Sequence, residues 1–282
     1  MIMKKLSIIF AILTATALFA ETIRTEEKNF RGHLQGFAID ETGIYCSFAN
    51  DMLKTDLKGK TIRKFSTCSH AGDMTTDGKN IYCAVTIWDK KIAEKYGAHN
   101  CVFIYDKELN LLEVKPFKEL NGFDGIAFLD GKFYIGLNDL SNKLRMENRI
   151  AIFDKNWKLL KISSVTIGCQ TKYGAQNLKA YRGKLLAGFY GGGDAAFIFD
   201  PAKLLNSDKT VKPEGTFPTQ TSTGFAELPA ELSTEPDSVI IARSTSTRDK
   251  ATGKKKFGAR FLVQRINGKG VLKHTNIKPA GK

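Results

Sequence analysis

Two histidines stand at matched positions in this chain. His33-x-Gln35-Gly36 and His70-x-Gly72-Asp73 align with both imidazoles in register, and Asp124-Gly125 and Gln176-Asn177 hold the corresponding place further along. Imidazoles and carboxylates are the side chains that move protons near neutral pH. His33, His70, Asp73 and Asp124 are therefore the candidate catalytic set, two carboxyls with histidine partners. Asp73 and Asp124 are also hard oxygen donors, which suits a divalent cation such as Ca²⁺. Gln35, Gln176 and Asn177 carry amides, each able to donate and accept, as recognition of a polar ligand requires. Polar groups in such places also serve simply to bond neighbouring backbone.

Further candidates flank this set. Trp88 offers an aromatic wall for a sugar ring, and Arg145 lies with Asp139 and Arg149 in and beside a polar loop. Tyr190 and Asp194 bracket Gly191-Gly192-Gly193, a run without the Lys-Ser/Thr ending and following helix of a phosphate loop, so it reads as a turn. Trp88-Asp89 follows a second strand rather than closing a third, so it is no WD-type blade ending.

The elements that must position these groups come from a repeat, most complete over Asn121 to Val165. Five first strands align: Gly36 to Asp40, Asp73 to Asp77, Gly125 to Leu129, Asn177 to Tyr181 and Gly224 to Leu228. Short turns such as Asp130-Gly131 follow them, as tight hairpins need. Second strands run Ile44 to Phe48, Ile81 to Val85, Lys132 to Leu137, Leu185 to Phe189 and Val239 to Arg243. Third strands run Leu53 to Asp56, Val102 to Asp106, Ile150 to Asp154, Ala196 to Asp200 and Phe261 to Arg265, four of them closing on Asp. Units of about 40–50 residues with four antiparallel strands predict propeller blades. The fold class is all-β, a five-bladed β-propeller, with six blades as the alternative and a β-sandwich array a distant third. Thr22 to Phe30 is predicted to pair with the last blade and close the ring. First-strand entries and second-to-third loops share one face of such a ring. The loops Thr86 to Asn100, Asn138 to Asn148 and Ser244 to Arg260 are long and polar, which puts function on that face.

Residues 1–20 read as an export signal. Lys4 and Lys5 precede the uncharged core Leu6 to Phe19, which is too short to span a membrane, and Ala17 or Ala20 precedes the cut. Residues 21–282 form one propeller domain, expected to be a monomer in the periplasm or secreted, with no membrane span. The formal charge of +14 falls by two with the leader, to +12. A basic surface draws anionic partners, and Arg248-Asp249-Lys250 with Lys254-Lys255-Lys256 concentrates that charge. Export makes nucleic acid the least expected partner. Cys46 and Cys83 repeat in register as buried strand thiols, while Cys68, Cys101 and Cys169 fall near loops and allow one disulfide. There is no CxxC, so a zinc or redox motif has no support.

Gln35-Gly36-Phe37-Ala38-Ile39-Asp40 and Asp124-Gly125-Ile126-Ala127-Phe128 resemble the blade openings of exported YncE/NHL-like and SMP-30-like propellers. The resemblance implies channel-facing acidic or amide groups at Gln35 and Asp124, and in the lactonase branch a divalent metal held by such groups. Gln35 stands where those lactonases carry an acid. The Gln-Gly opening is also similar to glutamine cyclotransferases, although Gly72-Asp73 replaces their Glu-Gly pair. Two functions follow from the residues. The first is a propeller binding a polar or anionic small molecule, glycan or protein on its long-loop face. The second is a metal-assisted hydrolase, lactonase or lyase at the channel mouth.

Overall fold

The computed structural model describes residues 22–138, 143–190, 195–218, 224–233, 238–266 and 272–274. The export signal, Asp139 and Asp194 lie outside the described residues. Among the described residues no helix is long and apolar enough to cross a membrane.

Runs rich in β-branched and aromatic residues give strands here, most of the inner and middle ones buried along nearly their whole length, and five antiparallel sheets result. Blade one is β2 (Leu34–Asp40), β3 (Gly43–Phe48), β4 (Asp51–Thr55) and β5 (Thr61–Ser66). Blade two is β6 (His70–Thr76), β7 (Ile81–Thr86), β8 (Asn100–Tyr105) and β9 (Leu111–Pro116). Blade three is β10 (Phe123–Leu129), β11 (Lys132–Leu137), β12 (Asn148–Asp154) and β13 (Leu159–Val165). Blade four is β14 (Lys172–Tyr181), β15 (Lys184–Tyr190), β16 (Ala195–Phe199) and β17 (Gly215–Pro218). Blade five takes β18 (Phe225–Glu227), β19 (Ser238–Arg248) and β20 (Lys255–Ile266) from the C-terminal part of the chain, and its outer strand β1 (Thr22–Arg24) from the N-terminal part. A short β21 (Leu272–His274) pairs with β20 as well. The protein is a five-bladed β-propeller.

Ring closure is as predicted. Thr22 to Arg24 pair with Leu262 to Arg260, and Phe30 bridges to Phe257. Phe30 also stacks on Phe48 of blade one, ring centroids 3.8 Å apart, so one segment fastens both neighbours. The apolar core lies between blades, where the sheets' faces meet: Phe37 meets Phe261 at 5.5 Å and Tyr82 meets Phe133 at 4.7 Å.

The Asp that closes four of the five third strands has a local use. Asp56 Oδ1 accepts from the backbone N–H of Lys58 and Lys60 at 2.9 Å, and Asp106 and Asp154 hold their turns the same way. Asp200 instead caps α2 (Pro201–Asn206), accepting from Ala202 N.

Three expectations need correction. Ser244 to Arg260 is mostly strand, because the Ser-Thr run pairs residue for residue up to Arg248 with Lys255. The Thr86 to Asn100 loop contains α1 (Lys90–Tyr96), started by Asp89, which accepts from Ile92 N. All five cysteines are free, so Cys68, Cys101 and Cys169 hold no disulfide; Cys46, Cys83 and Cys101 are buried. Burial pushes the Cys101 thiol up to about 12.

Candidate functional site

The inner strands β2, β6, β10, β14 and β18 line the axis, each entering from the long-loop face. Close approach of one entry to the next depends on glycine. A Cβ on Gly36 would overlap the Asp73 carboxylate, and one on Gly72 would meet the backbone of Asp124. These glycines therefore admit the next blade's acidic residue to the axis, which is the physical content of the repeated Gly entry.

Asp124 is the centre of the mouth. Its Oδ2 accepts from Asn138 Nδ2 at 2.8 Å and from Gln176 Nε2 at 2.7 Å, while Oδ1 lies 3.4 Å from His70 Nε2. Gln176 also donates to Tyr173 O at 3.1 Å. Blades two, three and four thus meet on one carboxylate. Blades one and four meet beside it, where Asn177 Nδ2 donates to Gln35 O at 2.8 Å and the Gln35 amide lies 3.1 Å from His33 Nε2. Partial burial and, secondarily, the nearby charge of His70 hold the His33 imidazole below its usual range. The two imidazoles aligned in sequence lie near enough for the charge of one to bear on the other.

Aromatic rings stand around this polar network. Trp88 is 60% exposed, its ring 6.5 Å from that of His70. Ser69 holds the base of that loop, accepting from Trp88 N at 3.0 Å and donating to Thr86 O at 2.9 Å. On blade four Tyr190 is 52% exposed and meets Tyr173 edge-on at 5.5 Å. Two amide oxygens, Asn138 Oδ1 and Asn177 Oδ1, are buried without a hydrogen-bond partner among the described residues. A buried acceptor left so carries a cost that a donor from ligand or water removes.

Asp73 does not join the mouth. It is 0% exposed, deeper in the channel, where the Lys179 ammonium pairs with its Oδ1. Met74 N donates to the same carboxylate at 2.8 Å and Leu178 N at 2.9 Å, and Lys179 also donates to Met74 O at 2.6 Å. Arg145 pairs its backbone with Thr171 and lines a small cleft with Glu147 and Arg149 that shares Tyr173 with the mouth. The sequence reading missed Lys179, Asn138 and Tyr173. Lys179 had a signal, since the same register position is Ala38, Thr75, Ala127 and Ala226 in the other blades.

The donor set does not fit a divalent cation. Asp73 is already matched by an ammonium, and two amide NH₂ groups point at Asp124 where a cation would sit. No group of three or more His, Cys, Asp and Glu able to hold a metal occurs among the described residues.

No family model and no curated protein sequence matches the chain. Solved structures match by shape. The glutaminyl cyclase of Myxococcus xanthus superposes with TM-score 0.50 at 12% identity, over 86% of this chain and 95% of the cyclase. A GH43_1 enzyme from Xanthomonas citri, crystallised with xylose, gives TM-score 0.49 at 11% identity, over 89% of this chain and 92% of the enzyme. The Pan2 WD40 domain of Neurospora crassa gives 0.43 at 11% identity, over 88% of this chain and 66% of its own. At such identity the likeness to the cyclase is one of fold alone.

Proposed function

We propose that this protein is an exported propeller whose long-loop mouth binds a neutral glycan. The observation that carries the reading is the pair of exposed rings, Trp88 and Tyr190, at the edge of one hydrogen-bonded network built on Asp124. Single exposed aromatics are ordinary on a surface; two facing a ring of amides, an imidazole and a carboxylate match the two sides of a sugar. The apolar face of a pyranose covers an aromatic ring, and its hydroxyls pair with fixed polar groups. Asp124 places negative charge at the centre of the mouth, which favours a neutral glycan over an acidic one.

Calorimetric titration with cellotetraose, maltotetraose, xylotetraose and chitotetraose tests this. Saturable binding to at least one is expected, with Trp88→Ala, Tyr190→Ala and Gln176→Ala each weakening it about tenfold or more, the order of one lost stacking or hydrogen-bonding contact. Heat-silent titrations with all four, or affinities that ignore the three substitutions, contradict it.

A hydrolase or lyase at the same mouth is the second reading, favoured by the 3.4 Å approach of His70 to Asp124. Among the described residues Asp73 does not serve as its second carboxyl, because it is paired with Lys179. Release of shorter sugars on prolonged incubation, lost in His70→Asn, would establish it.

A further inference from the structure

The hairpin of blade five outruns its neighbours. Beyond Ala242 the strand β19 has only β20 as a strand partner among the described residues, and the two run on as a ribbon from the pair Arg243 with Arg260 to the pair Arg248 with Lys255. At about 3.3 Å per residue that ribbon is about 17 Å long. Residues 243–260 carry seven basic side chains and one acidic one.

The register sets like charges side by side. Arg24 of β1, Arg260 of β20 and Arg243 of β19 stand directly opposite one another, a row of three across neighbouring strands, and Arg248 stands opposite Lys255 near the tip. Directly opposed side chains share a face of a sheet, and the alternate residues Ala259 and Phe261 take the other face, in the core shared with blade one. Lys28 crosses the arginine face as well, since a Cβ on Gly258 would lie 3.3 Å from Lys28 Cγ and 3.2 Å from Thr245 Oγ1. Arg24, Lys28, Arg248, Lys254 and Lys255 are exposed. The acids of these segments are engaged elsewhere: Asp249 pairs with Lys256 at 2.6 Å, Glu27 pairs with Lys64 at 2.5 Å, and Glu26 accepts from Thr61 N at 3.3 Å. Like charges directly opposed destabilise a sheet, and a polyanion laid along the ribbon removes that repulsion.

The groups between the charges select the kind of polyanion. Thr245, Ser246 and Thr247 line the ribbon with hydroxyls, and the tip from Asp249 to Gly253 has no large apolar residue. Membrane-surface anchors add apolar side chains that enter the headgroup boundary. Single-stranded nucleic acid is held by stacking on exposed rings, and the one ring of the ribbon, Phe257, packs against the core shared with blade one. Guanidinium forks fit carboxylates in bidentate fashion, and the neighbouring hydroxyls suit those of a sugar.

We propose that this ribbon, with Arg24 and Lys28 at its foot, is a docking surface for a linear polysaccharide of uronic acids. Its hold comes from charge, so it does not rest on the neutral-glycan reading of the mouth.

The test is fluorescence anisotropy with end-labelled decagalacturonate, its full methyl ester and a poly(dT) of equal charge, together with sedimentation of the protein on phosphatidylglycerol vesicles. Saturable binding of decagalacturonate that weakens with added salt is expected, at least tenfold tighter than that of the ester or poly(dT), with no sedimentation on the vesicles. The triple variant Arg248→Ser, Lys254→Ser, Lys255→Ser is expected to weaken it at least tenfold. Removing as many charges from exposed turns of blades one, two and three, by Lys58→Ser, Lys79→Ser and Lys155→Ser, is expected to change it less than twofold. Several results overturn the proposal: no saturable binding of decagalacturonate, an equal loss in both triple variants, equal binding of the ester, or poly(dT) or vesicles bound as tightly. Should the ribbon variant fail to fold, the ranking of the probes in the unaltered protein decides alone.

Discussion

The most demanding residues are Asp73 and Lys179, buried opposite charges 106 positions apart in sequence. Removing one partner of such a pair strands the other in a poorly solvated site, at a cost of about 3–5 kcal/mol. Lys179→Met is expected to lose that much in urea unfolding, and Asp73→Asn added to it to recover part, since no unpaired charge then remains. His33 gives a pH signature. Its folded-state proton is held less tightly than in the unfolded chain, whose imidazole titrates near 6.5. Stability contributed by His33 is therefore present above that value and is lost as pH falls through the window below it. The His33 ring proton is expected to titrate below 6.5 by NMR, and His70→Asn to bring it only part of the way back, because burial is the larger cause. His33, His70 and Asp124 were legible as one mouth from their register alone. The fate of Asp73 was not, because its partner is chosen by which blades face each other across the axis. No local pattern records that choice, only the oddity of a lysine among alanines and a threonine.

At the scale of elements, the glycine entries and the closing segment carry the ring. Gly36→Ala pushes a methyl group into the Asp73 carboxylate. Overpacking of that kind typically costs about 1–3 kcal/mol, and a lowered urea midpoint with an unchanged slope is expected. Phe30 is 1% exposed between blades five and one. Phe30→Ala should cost about 3–5 kcal/mol, as deletion of a buried ring does, read in the same unfolding experiment. The strand repeat was readable because β-branched and aromatic runs bounded by Asp-Gly and similar turns are local signals. Two elements were not. Asp89 marks a helix start, but seven helical residues inside a polar loop give too short a period to see. Ser244 to Thr247 look like loop by composition, whereas threonine is also a strand former, and pairing with β20 settles the outcome.

Over the whole molecule, five blades surround an axis that carries the Asp73 to Lys179 ion pair, with the polar network on Asp124 towards the long-loop face. The basic ribbon of β19 and β20 rises beside the mouth, with the Phe257 ring 6.4 Å from that of His33 and Ser244 Oγ accepting from Leu34 N. Lys256 is tied to Asp249 at 2.6 Å, so part of the cluster's charge is spent on its own turn. The meeting of entry residues on the long-loop face was legible from their register, but the pairing of Asp73 with Lys179 across the axis was not, since it arises only when the ring closes. Intrinsic fluorescence tests the central claim most directly. The chain has two tryptophans. Trp157 is stacked on Phe133 at 4.0 Å, whereas Trp88 is exposed at the mouth. If the mouth binds a glycan, titration with the tetrasaccharide that binds in calorimetry shifts the emission to the blue, saturably, and Trp88→Phe abolishes the shift. Emission unchanged at saturating glycan, or a shift that persists in Trp88→Phe, would contradict the account.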